Sequence, residues 1–277
     1  MYVGCHVSIR DGYLGAAKMA HSFGASAFQY FPKNPRSLSV KEFDQEDATA
    51  CKQYCLEHNI QSVAHTPYST SLTPTEQKKG ATIQSLLNDL QIASSCGSIG
   101  VVVHFGSEID PLNPLAGYQL MITILNEVLK EWDGDALLLI ENLAGKPGTM
   151  GTTIEEHIQI RNLCDFPEKI GFCFDTCHAF ASGLWNGENS GALVKSGKEQ
   201  EYFNHLKVVH LNNSKYESSS GKDRHDNIVS GKIKVSQLND LLHQDVFSKI
   251  PFVLETPDPP SGNHREEIET VRTLFNR

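Results

Sequence analysis

Along this chain, short apolar, β-branched runs alternate eight times with longer stretches of helical periodicity. That alternation constrains the fold more than anything else in the sequence. Parallel strands can be joined only through a crossover, usually a helix, so a repeated strand–helix pattern calls for an α/β protein with a parallel sheet. Strands are predicted at residues 2–8, 25–31, 61–65, 100–104, 136–141, 170–175, 206–211 and 251–255. Helices are predicted at 13–22, 41–58, 74–95, 115–131, 154–163, 193–205, 235–244 and 264–275. Thr73-Pro74 followed by Glu76 and Gln77 reads as a helix start, Thr153 ahead of Glu155 and Glu156 as another, and Gly97 as a helix stop. Eight such units within 277 residues suit one closed (β/α)8 TIM barrel, a single domain spanning 1–277. No linker or domain-scale shift in composition interrupts it. One connection, 212–231, is long and rich in Ser, Lys, Asp and Gly, as functional or disordered loops are.

The later strands share an ending. The third closes on His65, the fourth on His104, the fifth on Glu141, the sixth on Asp175, the seventh on His210 and the eighth on Glu255. In a closed barrel all the C-terminal strand ends lie on one rim, where active sites form. These six side chains are therefore expected to converge. Three carboxylates brought together repel one another and take up protons unless cations neutralise them. Three imidazoles beside them supply the nitrogen donors that zinc accepts. A site for several divalent metal ions satisfies both requirements. Two further pairs extend the set: Asp175 with His178 one turn beyond the sixth strand, and Asp223 with His225 in the long loop. Mixed nitrogen and oxygen donors suit zinc or a related first-row ion. His6 near the end of the first strand and His58 on a helix are read as structural or surface residues.

Composition narrows the setting. With 24 basic and 33 acidic residues the formal charge is −9, unlike that of a nonspecific nucleic-acid binder. Several divalent ions on one rim would, however, reverse the sign locally. No apolar run approaches the roughly 20 residues that span a bilayer, and residues 1–10 lack signal-peptide features, so no membrane association is expected. The seven cysteines are scattered and odd in number, which fits free thiols in a reducing cytoplasm.

At the residues just named the sequence resembles the endonuclease IV family of zinc-dependent apurinic/apyrimidinic endonucleases. The resemblance is carried by Gly4-Cys5-His6-Val7-Ser8, Phe31-Pro32-Lys33-Asn34-Pro35-Arg36, His65-Thr66-Pro67-Tyr68, Val103-His104-Phe105-Gly106, Ile140-Glu141-Asn142, Phe174-Asp175-Thr176-Cys177-His178-Ala179-Phe180, His210-Leu211-Asn212, Asp223-Arg224-His225 and Leu254-Glu255-Thr256. It spans nearly the whole chain and implies the same barrel. It also implies three zinc ions, with manganese admissible at one position. His65, His104 and Glu141 would hold one ion. Asp175, His210 and Glu255 would hold a second, with Glu141 bridging. His178, Asp223 and His225 would hold the third. The implied reaction is hydrolysis of the phosphodiester 5′ to an abasic site to leave a 3′-hydroxyl, by a water shared between two metals, with Glu141, Glu255 and Asp175 as the catalytic carboxylates. The implied partner is damaged double-stranded DNA, bound through Asn34, Arg36, Tyr68 and Arg224. No organic cofactor is implied, and a monomer is expected.

The sequence departs from the family around its DNA-facing loops. Ser69 follows Tyr68 where the family has an apolar residue able to wedge into a base stack. Asn213 replaces an Asp after the seventh strand, and Val229-Ser230 and Lys234 alter the Gly-rich run after Asp223-Arg224-His225. Two other readings compete. Sugar isomerases and epimerases of the xylose-isomerase-like barrels resemble the chain in Glu141, Asp175, His210 and Glu255, but have no need of His65, His104, His178, Asp223 and His225 together. A noncatalytic lesion binder would not need an intact donor set.

Overall fold

A run such as Leu137-Leu138-Leu139-Ile140 can form a strand only where both of its faces are covered, because it has no polar side to turn to water. In the computed structural model, which describes residues 1–146, 148–258 and 262–275, every such run lies between a ring of helices and a filled barrel interior. The chain runs β1 (Val3–His6), α1 (Gly12–Ser22), β2 (Ala27–Tyr30), α2 (Gln45–Glu57), β3 (Gln61–His65), α3 (Glu76–Ser95), β4 (Gly100–His104), α4 (Leu115–Glu131), β5 (Leu137–Glu141) and α5 (Ile154–Leu163). It continues through β6 (Ile170–Asp175), α6 (Thr176–Ser182), α7 (Ser190–Glu199), α8 (Tyr202–His205), β7 (Leu206–His210), a short pair β8 (Asn213–Ser214) and β9 (His225–Asp226), then α9 (Val235–Leu242), β10 (Phe252–Leu254) and α10 (Arg265–Phe275). Eight parallel strands close in the order β1-β10-β7-β6-β5-β4-β3-β2. This is the expected TIM barrel. The expected domain, 1–277, includes positions outside the described residues. Among the described residues no helix is long and apolar enough to cross a membrane. All seven cysteines are buried and free.

The interior decides where the polar strand ends point. Val63, Val102, Leu139, Cys173, Val208 and Val253 form one buried cluster within the barrel, separate from the core between strands and helices. Successive strand residues face opposite sides, so the residue two positions after each of these faces the same lumen, one step nearer the C-terminal rim. Those residues are His65, His104, Glu141, Asp175, His210 and Glu255. The rule extends to the first two strands, where Gly4 is followed by His6 and Ala27 by Gln29. Gly4 is required at its place, because a Cβ there would sit 1.5 Å from the carbonyl oxygen of Ala27 on the neighbouring strand.

Several predicted boundaries shift for local reasons. The helix predicted from residue 41 begins at Gln45. Asp44 caps it through the N–H groups of Glu46 and Asp47, while the backbone of Lys41 is held outside it by both ends of the Asn88 amide. The helix predicted over 193–205 breaks into α7 and α8 at Glu201, whose φ is 61°. The predicted start at Thr73-Pro74 lies earlier than the observed one, where Thr75 precedes Glu76. Thr153 and Glu156 form the expected reciprocal cap of α5, and Gly97, at φ 69°, ends α3 as expected. The long connection 212–231 is ordered. It contains the antiparallel β8–β9 pair and is pinned to α6 by Ser219 N–H to Phe180 C=O and Gly221 N–H to Ala181 C=O.

Candidate metal centre

The structure brings all nine expected donors to one rim, in three adjoining groups, two of which share Glu141. The donor atoms of His65, His104 and Glu141 lie within 4.8 Å of one another. The same limit holds for Glu141, Asp175, His210 and Glu255, and for His178, Asp223 and His225. Glu141 is the hub. Its Oε1 lies 2.9 Å from His210 Nδ1 and 3.3 Å from His178 Nδ1, and its Oε2 lies 3.5 Å from His65 Nε2 and 3.4 Å from His104 Nε2. Asp223 Oδ1 lies 3.4 Å from His178 Nε2 and 3.5 Å from His225 Nε2. Two cysteines border the groups: Cys173 beside Glu141 and His210, and Cys177 beside Asp175 and His225. Burial pushes both thiols up to about 12, which sets them apart from the ionised donors.

A second layer of hydrogen bonds aims these side chains. Asp175 caps α6 by accepting from His178 N–H at 2.7 Å, which is why Asp-Thr-Cys-His directly follows a strand. The Asn142 side-chain amide bonds the Asp175 backbone at both ends, and the Asn142 backbone carbonyl accepts from His178 Nδ1 at 2.9 Å. Asn212 donates to Asp175 Oδ2 at 2.7 Å and accepts from the Glu255 N–H at 2.8 Å. His65 Nδ1 donates to the Thr66 carbonyl and His225 Nδ1 to that of Glu255. Ligating imidazoles are characteristically oriented in this way.

Carboxylates and imidazoles shift one another's ionisation across the cluster. Burial opposes ionisation of Glu141, yet His210, His104 and His178 hold its carboxyl well below the usual range. Glu255 is likewise held low against its burial, by His210. Asp175 is pushed up by burial, with His178 and His225 opposing. In return His178 is raised well above its ordinary value, against burial, by Asp175, Asp223 and Glu141. His210 is raised, also against burial, by the Cys173 thiol and by Glu255 and Glu141. His104 is pulled down to about 4 by burial, with Glu141 opposing. Glu141 Oε2, His178 Nε2 and His225 Nε2 are buried and have no hydrogen-bond partner among the described residues, although each faces donors of the other type. Orphaned buried polar atoms of this kind are compatible with ions bound within these groups. The donor set of imidazole nitrogens and carboxylate oxygens fits zinc.

Other residues fall where the sequence did not place them. His6, read as structural or surface, sits on the rim with its Nδ1 3.2 Å from Gln29 Nε2 and its ring against Phe31. Gln29 is fully buried and touches both His210 and Glu255. The two-residue strand period running from Ala27 would have found it. His58 is an exposed residue whose ring packs at a tilt against those of His21 and Tyr54. Asn34, Arg36, Tyr68 and Arg224 are all exposed. Tyr68 N–H donates to the Pro35 carbonyl, which ties two rim loops together, and the Tyr68 ring packs edge-on against Phe31. A cavity of about 300 Å³ opens among His6, Phe31, Tyr68, Glu255, Asp258 and His264. Asn213 has a structural role in the long loop. Its amide nitrogen donates to the carbonyls of Ile228 and Ile233, which an Asp carboxylate could not do.

Comparison with known proteins agrees with this geometry. A family model for the xylose isomerase-like TIM barrel matches residues 17–274. A probable endonuclease 4 of Symbiobacterium thermophilum is 38% identical, covering 99% of this chain and 100% of its own. One of Thermosipho melanesiensis is 32% identical over 99% and 97%. The crystal structure of endonuclease IV from Thermus thermophilus superposes with a TM-score of 0.87 at 27% identity, covering 99% of both chains. The chain belongs to the endonuclease IV family of the xylose isomerase-like TIM barrels.

Proposed function

We propose that the protein is a zinc-dependent deoxyribonuclease of base-excision repair, cleaving damaged double-stranded DNA 5′ to an abasic site and leaving a 3′-hydroxyl. One observation carries the reading: nine donors fall into three adjoining groups, two of which share Glu141, while His178 of the third lies 3.3 Å from it. His65, His104 and Glu141 would hold one zinc. Asp175, His210 and Glu255 would hold a second with Glu141 shared, and His178, Asp223 and His225 a third, with manganese admissible at one position. Bound there, such ions supply a water acidic enough to ionise near neutral pH and positive charge to neutralise a phosphate. A sugar isomerase would need only the central group of four, so the flanking donors favour the nuclease.

The chain's own residues do the rest. Glu141, Asp175 and Glu255 provide the negative charge that retains cations, and Asn142 and Asn212 hold the aspartate and Glu255 in place. Arg36, Asn34, Tyr68 and Arg224 stand exposed on rim loops, available to phosphates and to a groove. The cavity between Tyr68 and Glu255 is large enough for a base-free sugar phosphate. Extruding such a nucleotide costs least where the base is already missing. The endonuclease 4 relatives support the same reaction class.

The test is a duplex carrying one synthetic abasic site, incubated with metal-replete protein with and without a chelator. Cleavage 5′ to the site that the chelator stops is expected, together with about three zinc ions per chain. An intact duplex after incubation with metal-replete protein would defeat the assignment.

A further inference from the structure

We infer that Gln29 is a positioning residue that selects which ring nitrogen of His210 faces the metal cluster. The inference rests on the metal-site reading above. Gln29 lies on β2 and His210 on β7, with β1 and β10 between them in the barrel, so their contact crosses the lumen. Both side chains are fully buried. Gln29 Nε2 lies 2.6 Å from Glu255 Oε1 and 3.2 Å from His6 Nδ1, and Gln29 Oε1 lies 2.7 Å from His210 Nε2.

The orientation of this amide follows from its partners. An ionised carboxylate only accepts hydrogen bonds, so the amide N–H must face Glu255. Turned over, the amide would set its carbonyl oxygen against a carboxylate. The carbonyl therefore faces His210, which must donate from Nε2. The second amide hydrogen goes to His6 Nδ1. His210 is left with Nδ1 as the nitrogen for the cluster, 2.9 Å from Glu141 Oε1 and 3.1 Å from Glu255 Oε2.

Three other imidazoles of the site are oriented the opposite way. His65, His178 and His225 each anchor Nδ1 on a backbone carbonyl, those of Thr66, Asn142 and Glu255. Their Nε2 atoms face the carboxylates. Those anchors belong to the main chain and cannot be removed by substitution. The anchor of His210 is a side chain. Gln29 is thus the point at which one ring of the site can be released while the others stay fixed, and it restrains Glu255 with the same amide.

The experiment uses full-length protein with 15N-labelled histidine, loaded with zinc, in wild-type form and as Gln29→Met and Gln29→Glu. Met keeps the volume without hydrogen bonds, whereas Glu keeps an acceptor for Nε2 and faces Glu255 through one shared proton, as paired buried carboxylates do. Long-range 1H–15N correlation reads the protonated nitrogen of His210, and competition with a chromophoric chelator reads zinc affinity. Wild type is expected to show His210 protonated at Nε2. Gln29→Met is expected to lose that signature and to hold one zinc of the set about ten- to a hundredfold more weakly, the usual cost of losing an outer-layer partner. Gln29→Glu is expected to keep Nε2 protonated, which a purely space-filling role would not predict. His210 protonated at Nδ1 in zinc-loaded wild type overturns the inference, as does wild-type affinity in Gln29→Met. Wild-type protein that takes up no zinc overturns the metal reading and this inference with it. Zinc uptake unaffected by Gln29→Met overturns this inference alone.

Discussion

Lys33 lies in the loop that carries Asn34 and Arg36, but it points inward. Its ammonium is buried 3.0 Å from Asp89 Oδ1 and 2.8 Å from the Ser85 carbonyl, both on α3. Burial pushes the Asp89 carboxyl up to about 7, and Lys33, with a smaller share from His65, limits the rise. A carboxyl raised in the folded state binds its proton more tightly there than in the unfolded chain. Its contribution to stability is therefore full below about pH 4, is lost as pH rises, and levels off above about pH 7 once the folded carboxylate is ionised and paired. Replacing Lys33 with Met keeps the bulk of the stem but removes the cation. Asp89 must then stay protonated to higher pH, so the loss continues at about 1.4 kcal/mol per pH unit above pH 7. Lys33→Met is expected to be destabilised by about 2 kcal/mol more at about pH 8.5 than at about pH 6. Urea unfolding of both proteins at the two pH values measures it, read as the difference in free energy between wild type and variant. An equal destabilisation at both pH values would refute the reasoning, because loss of packing alone does not depend on pH.

Glu141→Gln removes the charge that four imidazoles share, and is expected to abolish abasic-site cleavage and lower the bound zinc count; near-wild-type turnover would contradict the hub role. Asn213→Asp sets a carboxylate against the carbonyls of Ile228 and Ile233. It should cost about 1–3 kcal/mol or more in denaturant unfolding at neutral pH, and a neutral outcome would show that the amide bonds do not hold the loop. Stripping the metal with a chelator should lower the thermal midpoint as well as stop cleavage, by an amount equivalent to about 4 kcal/mol when free zinc stood at a thousand times its dissociation constant; an unchanged midpoint would separate the donor cluster from metal binding.

The barrel was legible in the sequence because strand and helix have different periods, and eight alternations leave little choice of architecture. Six of the donors were legible too, because each apolar strand stops at a polar residue two positions beyond a lumen-facing Val, Leu or Cys. The helix boundaries were less so. Asp44 caps a helix that begins at Gln45, four residues after the predicted start at residue 41, and Glu201 interrupts a stretch that reads as continuous helix.

Which donors share a partner was decided only by closure. Gln29 and His210 are 181 positions apart and lie on strands that are not neighbours, so no local pattern relates them. Their meeting depends on the lumen being narrow enough for an amide to reach across it. The grouping around Glu141, the anchoring of each imidazole on a carbonyl or an amide, and the delivery of Asp223 and His225 by a pinned loop have the same origin. A strand's period determines which face a side chain takes, and that is written in the sequence. What the side chain then meets is a distance across the closed barrel, and that exists only in three dimensions.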